Sequence, residues 1–168
     1  FEMMKSALLA EGNIWAGYRK NRSDWITKEI AAKHGPEHKS KLAYFAGCTA
    51  SYVEQDIAQG TTKLLDAAGV DFTVIGNKEN CCGIPMLVSG KWDAWEWNMR
   101  QNIKNFTDAG IETITTSCPA CWMSWAILYP QWAKKLGIPY TMKVKHYSEI
   151  LADALKEGKL KFTHEVKA

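Results

Sequence analysis

The sequence predicts an α/β fold, an open, mostly parallel sheet of about four strands with flanking helices, preceded by two N-terminal helices. Two observations carry this expectation. First, one phrase recurs along the chain: Ala67-Ala68-Gly69-Val70-Asp71-Phe72-Thr73-Val74-Ile75 is echoed by Asp108-Ala109-Gly110-Ile111-Glu112-Thr113-Ile114-Thr115, and again by Lys135-Leu136-Gly137-Ile138-Pro139-Tyr140-Thr141. Second, each phrase closes an amphipathic run with glycine, which tolerates the left-handed position after a helix, and opens a short β-branched or aromatic run that reads as a strand. Strands that alternate with helices of this length require crossover connections, and those make parallel neighbours.

Taken in order, residues 2–20 and 23–34 read as the two leading helices, separated near Asn21-Arg22-Ser23, with Ser23 or Asp24 as N-cap. His34-Gly35-Pro36 ends the second, because proline cannot continue a helix. Strands are expected at 42–46, 71–75, 112–116 and 141–145, and helices at 50–68, 91–109, 120–136 and 147–156. The segments divide as a helical connector over 1–40, a cysteine-rich domain over 41–156 and a tail over 157–168. Trp15, Tyr18, Trp25 and Ile26 give the leading segment apolar surface to pack. Two readings stay open for it: a cover for the domain that follows, or a connector to a further module.

At 168 residues the chain is long enough for one domain with a substantial core. It is 46% hydrophobic and 23% charged, ordinary for a globular protein. A net charge of +3, with lysines and arginines spread among acids, does not point to nucleic acid. No apolar run approaches the roughly 20 residues that span a bilayer, so no direct membrane span is expected. The start, Phe1-Glu2-Met3-Met4, lacks the basic and apolar stretches of a signal peptide, and without Met at position 1 it reads as part of a longer polypeptide.

The chemistry lies in the cysteines. Five occur: Cys48, then Cys81 and Cys82 after a gap of thirty-two residues, then Cys118 and Cys121 after a gap of thirty-five. An odd number cannot all pair internally, and adjacent cysteines bridge each other only under strain. Five thiols suit a reducing compartment, so the expected location is cytoplasmic. In a parallel sheet the carboxyl ends of all strands share one edge, where open α/β folds bind ligands. Cys48 follows the first expected strand, Cys81-Cys82 the second and Cys118 the third, so their sulfurs should converge. His146 closes the fourth strand and should face the same edge.

In an extended strand Cys81 and Cys82 would face opposite ways, so they need an irregular turn, which Gly83 and Pro85 supply. Gly47 and Gly83 also permit close approach of backbone to a bulky inorganic core. Cys118-Pro119-Ala120-Cys121 reads as a helix start with Pro119 at the first helical position, where the dipole favours thiolate. Gathered thiolates suit zinc or an iron–sulfur cluster, and a tetrahedral zinc or an ordinary cubane needs only four.

Phe45-Ala46-Gly47-Cys48-Thr49-Ala50-Ser51-Tyr52, Glu79-Asn80-Cys81-Cys82-Gly83-Ile84-Pro85 and Thr116-Ser117-Cys118-Pro119-Ala120-Cys121 resemble the cysteine-rich CCG domain over residues 42–155. Heterodisulfide reductase catalytic subunits carry that domain. So do iron–sulfur subunits of glycolate and lactate oxidases and of anaerobic glycerol-3-phosphate dehydrogenase. The wording is most similar to the DsrK group, the heterodisulfide-reductase-like subunits of the membrane redox complex in dissimilatory sulfur metabolism. The resemblance implies a noncubane [4Fe–4S] cluster held by Cys48, Cys81, Cys82, Cys118 and Cys121, at which a disulfide or trisulfide is cleaved reductively. It implies other subunits of a membrane redox complex as partners, with peripheral attachment to the inner face of the membrane through them. A small sulfur-carrier protein with reactive cysteines would bring the substrate. The ferredoxin-like run C-x2-C-x2-C-x3-C-P that precedes the domain in such relatives does not occur among these residues. Two alternatives remain: the iron–sulfur subunit of a flavin-linked oxidoreductase, and a zinc-binding structural module.

His146 is the candidate proton donor, against the plainer role of a hydrogen-bonded histidine at a strand end. Trp92, Trp95, Trp97, Trp122 and Trp125 read as core packing, or as a shield of the metal from water. Lys134-Lys135 and the lysines over 143–161 read as a solvated face, or as a docking patch for an acidic redox partner.

Overall fold

The computed structural model of the protein describes residues 1–164. Along the chain run α1 (Glu2–Glu11), α2 (Lys28–His34), β1 (Leu42–Tyr44), α3 (Gly47–Tyr52), α4 (Gln55–Ala67), α5 (Ile84–Val88), α6 (Trp92–Asp108), β2 (Thr113–Thr116), α7 (Pro119–Met123), α8 (Tyr129–Leu136), β3 (Lys143–His146) and α9 (Tyr147–Lys156). Of the expected tail over 157–168, the last four residues lie outside the described ones.

The sheet is open and parallel, in the order β1-β2-β3. Its register pairs Ala43 with Ile114 and Thr116 with His146. The strand expected at 71–75 shrinks to one bridge, Thr73 to Ala43, with Tyr44 N–H donating to Thr73 O at 2.9 Å. On its outer side Val74 N–H donates to His34 O and the Thr73 hydroxyl to Gly35 O, so the end of α2 takes the place of a further strand. The chain therefore passes from β1 to one side, at Thr73, and then crosses to β2 on the other side. That reversal between β1 and β2 is a switch point, where the diverging connections leave a crevice at the carboxyl edge.

Alternating β1 residues feed two cores. Ala43 and Phe45 join Ile114, Leu8 of α1, Trp95, Met99 and Phe106 of α6, and Trp125, Tyr129 and Ala133. Tyr44 and Ala46 join Trp25, Ile30 of α2 and Ala58 and Leu65 of α4, with Ile150 and Leu151 of α9 packed against them. Each such fully buried Leu or Phe contributes about 1.5–3 kcal/mol. The leading forty residues thus supply side chains to both cores.

Several boundaries move for local reasons. The helix expected over 2–20 stops at Gly12, whose φ of 72° is left-handed. Buried Asn13 then accepts from Trp15 N–H at 2.8 Å and donates to Gly17 O at 2.7 Å, a turn that competes with helix. The second helix starts at Lys28 and not at 23: residues 23–26 form a turn closed by Ile26 N–H to Ser23 O, and Thr27 caps Ile30 N–H at 3.3 Å. Residues 50–68 split into α3 and α4 at Val53-Glu54, whose N–H groups both donate to Thr49 O. Between α7 and α8 one turn, Ser124–Leu128, widens to π-helix. Pro130 lacks the N–H that a regular turn would direct at Ala126 O, which favours the widened turn.

Candidate metal centre

Each cysteine is placed by backbone that leaves a strand or starts a helix. After β1, Phe45 N–H makes the last sheet bond, to Thr115 O at 2.7 Å. The next two amides turn away and donate to one carboxylate, Ala46 N–H and Gly47 N–H to Glu79 at 3.1 and 2.8 Å. Gly47 adopts a φ of +77°, and a Cβ there would stand 3.0 Å from Cys121 Sγ. The left-handed turn and the close approach both require glycine. It carries Cys48 into α3, on the side of the site that faces Cys121.

Cys81 and Cys82 occupy an irregular loop before α5, with Pro85 in the first turn of that helix. Cys81 N–H donates to Gly12 O at 2.6 Å. Cys81 O accepts from Asn98 and Asn102 at 2.7 and 2.8 Å, and Cys82 O from the Tyr129 hydroxyl at 2.9 Å. Asn102 also accepts from Asn80 N–H at 3.1 Å. The space a side chain at Gly83 would need is taken by Asn98 and Trp95, at 2.9 and 3.1 Å. Gly83 thus lets α6 close on the loop, while the approach to sulfur is made at Gly47.

Cys118 follows β2 as the N-cap of α7, with Pro119 at the first helical position. Its amide donates to the Thr116 hydroxyl at 3.3 Å.

The five thiols are free of disulfides and form one continuous row. Cys48 Sγ lies 3.2 Å from Cys81 Sγ. Contacts continue from Cys81 to Cys82, from Cys82 to Cys121, and from Cys121 to Cys118. Hydrogen bonds from Cys121 and Cys81 hold Cys82 well below the usual thiol range, against the effect of burial. Donating to Cys48 and Cys82, then burial, push Cys81 well above it. Donation to Cys118 and Cys82 does the same for Cys121. The Cys121 thiol, helped by helix amides, brings Cys118 down to about 6.

Cys48, Cys82, Cys118 and Cys121 wall a cavity of about 350 Å³, and Cys81 stands behind them. Ile14, Ile57, Ile84, Pro85 and Pro119 complete much of the wall, on which there is no Asp, Glu, Lys, Arg or His side chain. Among the described residues, no three His, Cys, Asp or Glu side chains are arranged to hold a single metal ion. The row and cavity fit a group with several metal atoms: a large soft core meets thiolates along one wall and glycine backbone at Gly47. Behind the turn into Cys48, Arg22 donates to Glu79, and its buried Nε and Nη1 have no hydrogen-bond partner.

The structure does not bring His146 to the sulfurs. It ends β3 beside Thr116, outside the cavity wall, with Nδ1 2.8 Å from Ser148 Oγ and its amide donating to Glu149 at the start of α9. Trp95 and Trp125 are core residues that pack edge-on or tilted against Tyr129, in the same core as Cys81, Cys82 and Cys121. Trp92 is 62% exposed at the other end of that array. Lys134, Lys135, Lys143 and Lys145 are exposed.

Sequence reasoning missed Arg22, Glu79, Asn98, Asn102 and Tyr129. One signal was present for two of them. Asn98 and Asn102 stand four apart within the apolar stripe Ala94, Trp95, Met99, Ile103 and Phe106, and buried amides on such a face need partners.

The family model described as "Cysteine-rich domain", CCG, matches residues 42–125, half of the chain and all five cysteines. The chain is 28% identical over 151 residues to a component of the dihydromethanophenazine:CoB–CoM heterodisulfide reductase of Methanosarcina mazei, covering 88% of this chain and 35% of the relative. It is 31% identical to the EtfAB:quinone oxidoreductase of Syntrophomonas wolfei, covering 88% of this chain and 20% of that protein. With the probable iron-sulfur-binding oxidoreductase FadF of Bacillus subtilis it shares 30% identity, over 92% of this chain and 22% of the relative. It thus spans about a third or less of the length of these relatives. No solved structure matches it significantly. With a motif that spaces five cysteines along half its length and a fold that gathers them at one sheet edge, the chain belongs to the cysteine-rich CCG domain family.

Proposed function

We propose that this chain is the substrate-facing iron–sulfur domain of an oxidoreductase, in which Cys48, Cys81, Cys82, Cys118 and Cys121 hold a noncubane [4Fe–4S] cluster. The observation that carries this reading is the unbroken row of five sulfurs beside a cavity at the switch point of the sheet. When bound, such a cluster supplies electrons at a soft Lewis-acidic iron. The chain's own residues do the rest. Asn98, Asn102 and Tyr129 hold the Cys81-Cys82 backbone, Glu79 orients the turn into Cys48, and the apolar wall excludes water.

The substrate is a disulfide or trisulfide. Cleaving a disulfide to two thiols takes two electrons, delivered by the cofactors of partner subunits, and two protons from solvent. A wall without Lys, Arg or His favours a sulfur–sulfur bond on a protein tail over a small anionic thiol, whose charge would go unpaired there. This supports a small sulfur-carrier protein as the donor, in the manner of the DsrK group. Membrane attachment would come through the partner subunits, since no helix among the described residues is long and apolar enough to cross a membrane.

The test is iron, zinc and acid-labile sulfide content after anaerobic purification, with an EPR spectrum of the oxidised protein. About four irons with sulfide are expected, and one zinc with no labile sulfide overturns the proposal. A second reading, delivery of electrons to a quinone, draws on the same wall of isoleucine and proline side chains and on the relative named as a quinone oxidoreductase. Oxidation of the reduced holoprotein by a short-chain quinone but not by an alkyl disulfide selects that reading.

A further inference from the structure

Arg22 lies in the leading segment, outside the matched family region, yet it is 1% exposed. Its Nη2 donates to Glu79 at 2.8 Å, and its guanidinium sits 5.6 Å from the centre of the Tyr52 ring. Nε and Nη1 are buried and have no partner. Glu79 is 4% exposed, and its remaining bonds go to Ala46 N–H and Gly47 N–H, the amides that start the turn into Cys48. The pair joins residues 57 apart in sequence. A bare buried ion pair stabilises little, and orphaned charged donors cost more still, so a buried pair with free N–H groups calls for a purpose beyond stability.

We propose that Arg22 is a positioning residue of the metal centre: held by Glu79, its guanidinium supplies fixed positive charge at the Cys48 end of the sulfur row and raises the reduction potential there. The proposal rests on the iron–sulfur reading. A fixed cation favours the more negative of two oxidation states, as it favours the ionised form of an acid. Inside the protein that interaction is only weakly screened by salt. Proximity to Cys48 comes from the geometry: Glu79, which accepts from Arg22 Nη2 at 2.8 Å, also accepts at 2.8 Å from the amide of Gly47, the residue before Cys48. Glu79 plays the opposite part. Its carboxylate sits against the Ala46 and Gly47 amides, at 3.1 and 2.8 Å, and brings negative charge to the same turn. Neutralising each partner should therefore move the potential in opposite directions, which no purely structural role for the pair would do.

The experiment is an EPR-monitored redox titration of the full-length holoprotein, with iron content measured in parallel. At the wild-type midpoint the reduced-to-oxidised ratio should fall about tenfold in Arg22→Met, which is about 59 mV for a one-electron couple. It should rise in Glu79→Gln and stay within about twofold in Arg22→Lys. If Arg22→Met loses its iron, the rise in Glu79→Gln and the retention in Arg22→Lys carry the test. Iron retained with no shift, or shifts of the same sign in both neutralised variants, overturns this proposal alone. Iron lost from all three variants also overturns it, because the pair is then only a structural support. Zinc in place of iron in the wild type overturns it together with the reading beneath it.

Discussion

Two stretches of the sulfur row are held in different ways. At Cys81-Cys82 four side-chain or backbone groups grip the peptide, from α6, α8 and the turn after α1, and both residues are buried. At Cys118-Cys121 a five-residue helix carries the sulfurs with few side-chain bonds to its backbone, and Cys118 is only partly buried. The first stretch is a fixed frame and the second is a mouth. Rigidity where sulfurs must not move, and access where a substrate must arrive, divide one site between a clamped loop and a short helix start.

Breaking the clamp should have the largest effect. Asn102→Ala removes partners of Asn80 N–H, Cys81 O and the Tyr129 hydroxyl at once. Cys81 O keeps Asn98 and the Tyr129 hydroxyl keeps Cys82 O, so the group left unpaired is Asn80 N–H; thermal melts should show a loss of about 1–3 kcal/mol, and iron content should fall with it. An unchanged melting temperature would mean that the clamp does not hold the loop.

Next comes the close approach of the turn before Cys48 to Cys121. Gly47→Ala puts a Cβ 3.0 Å from Cys121 Sγ on left-handed backbone. That conformation costs about 1–2 kcal/mol for a non-glycine residue, and iron affinity should drop as the Cys48 and Cys121 sulfurs are forced apart. Chelator competition measures it.

The mouth itself is read by thiol chemistry in metal-free protein. With its pKa near 6, Cys118 should alkylate fastest at pH 7, its rate rising as pH passes through about 6, while Cys81 and Cys82 stay protected by burial. Peptide mass spectrometry after timed iodoacetamide exposure identifies the site. Because this folded-state value lies below the unfolded thiol at about 8.5, the stability it contributes is present above that pH. It is lost as pH falls toward about 6. Urea midpoints of metal-free wild type should decline more over that window than those of Cys118→Ser.

The smallest effect is expected at His146, whose side chain bonds Ser148 and lies off the cavity wall. His146→Ala should leave iron content and the EPR spectrum unchanged, and stability within about 0.5 kcal/mol. A changed pH profile of disulfide reduction would restore it as a proton donor.

Much of this is legible in the residues themselves. The repeated phrase ends three helices at glycines with left-handed φ, at Gly69, Gly110 and Gly137. Helix α9 matches the expected span of 147–156, because an apolar period of 3.6 is a local property. The strand expected at 71–75 fails for the opposite reason. Val74 and Thr73 have the right composition, but whether a strand continues depends on what lies beyond it, and there the end of α2 occupies the edge.

The order and spacing of the cysteines, set against alternating strands and helices, were enough to place their sulfurs together, since parallel strands can only end on one edge. What the tertiary structure alone decided is how that gathering is held. Asn98 and Asn102 reach back 17 and 21 residues to Cys81, and Arg22 reaches forward 57 to Glu79. Those partners meet only after the crossovers have closed, and a buried hydrogen bond leaves no periodic trace along the chain. Position along a strand is written locally, while partnership across the core depends on packing.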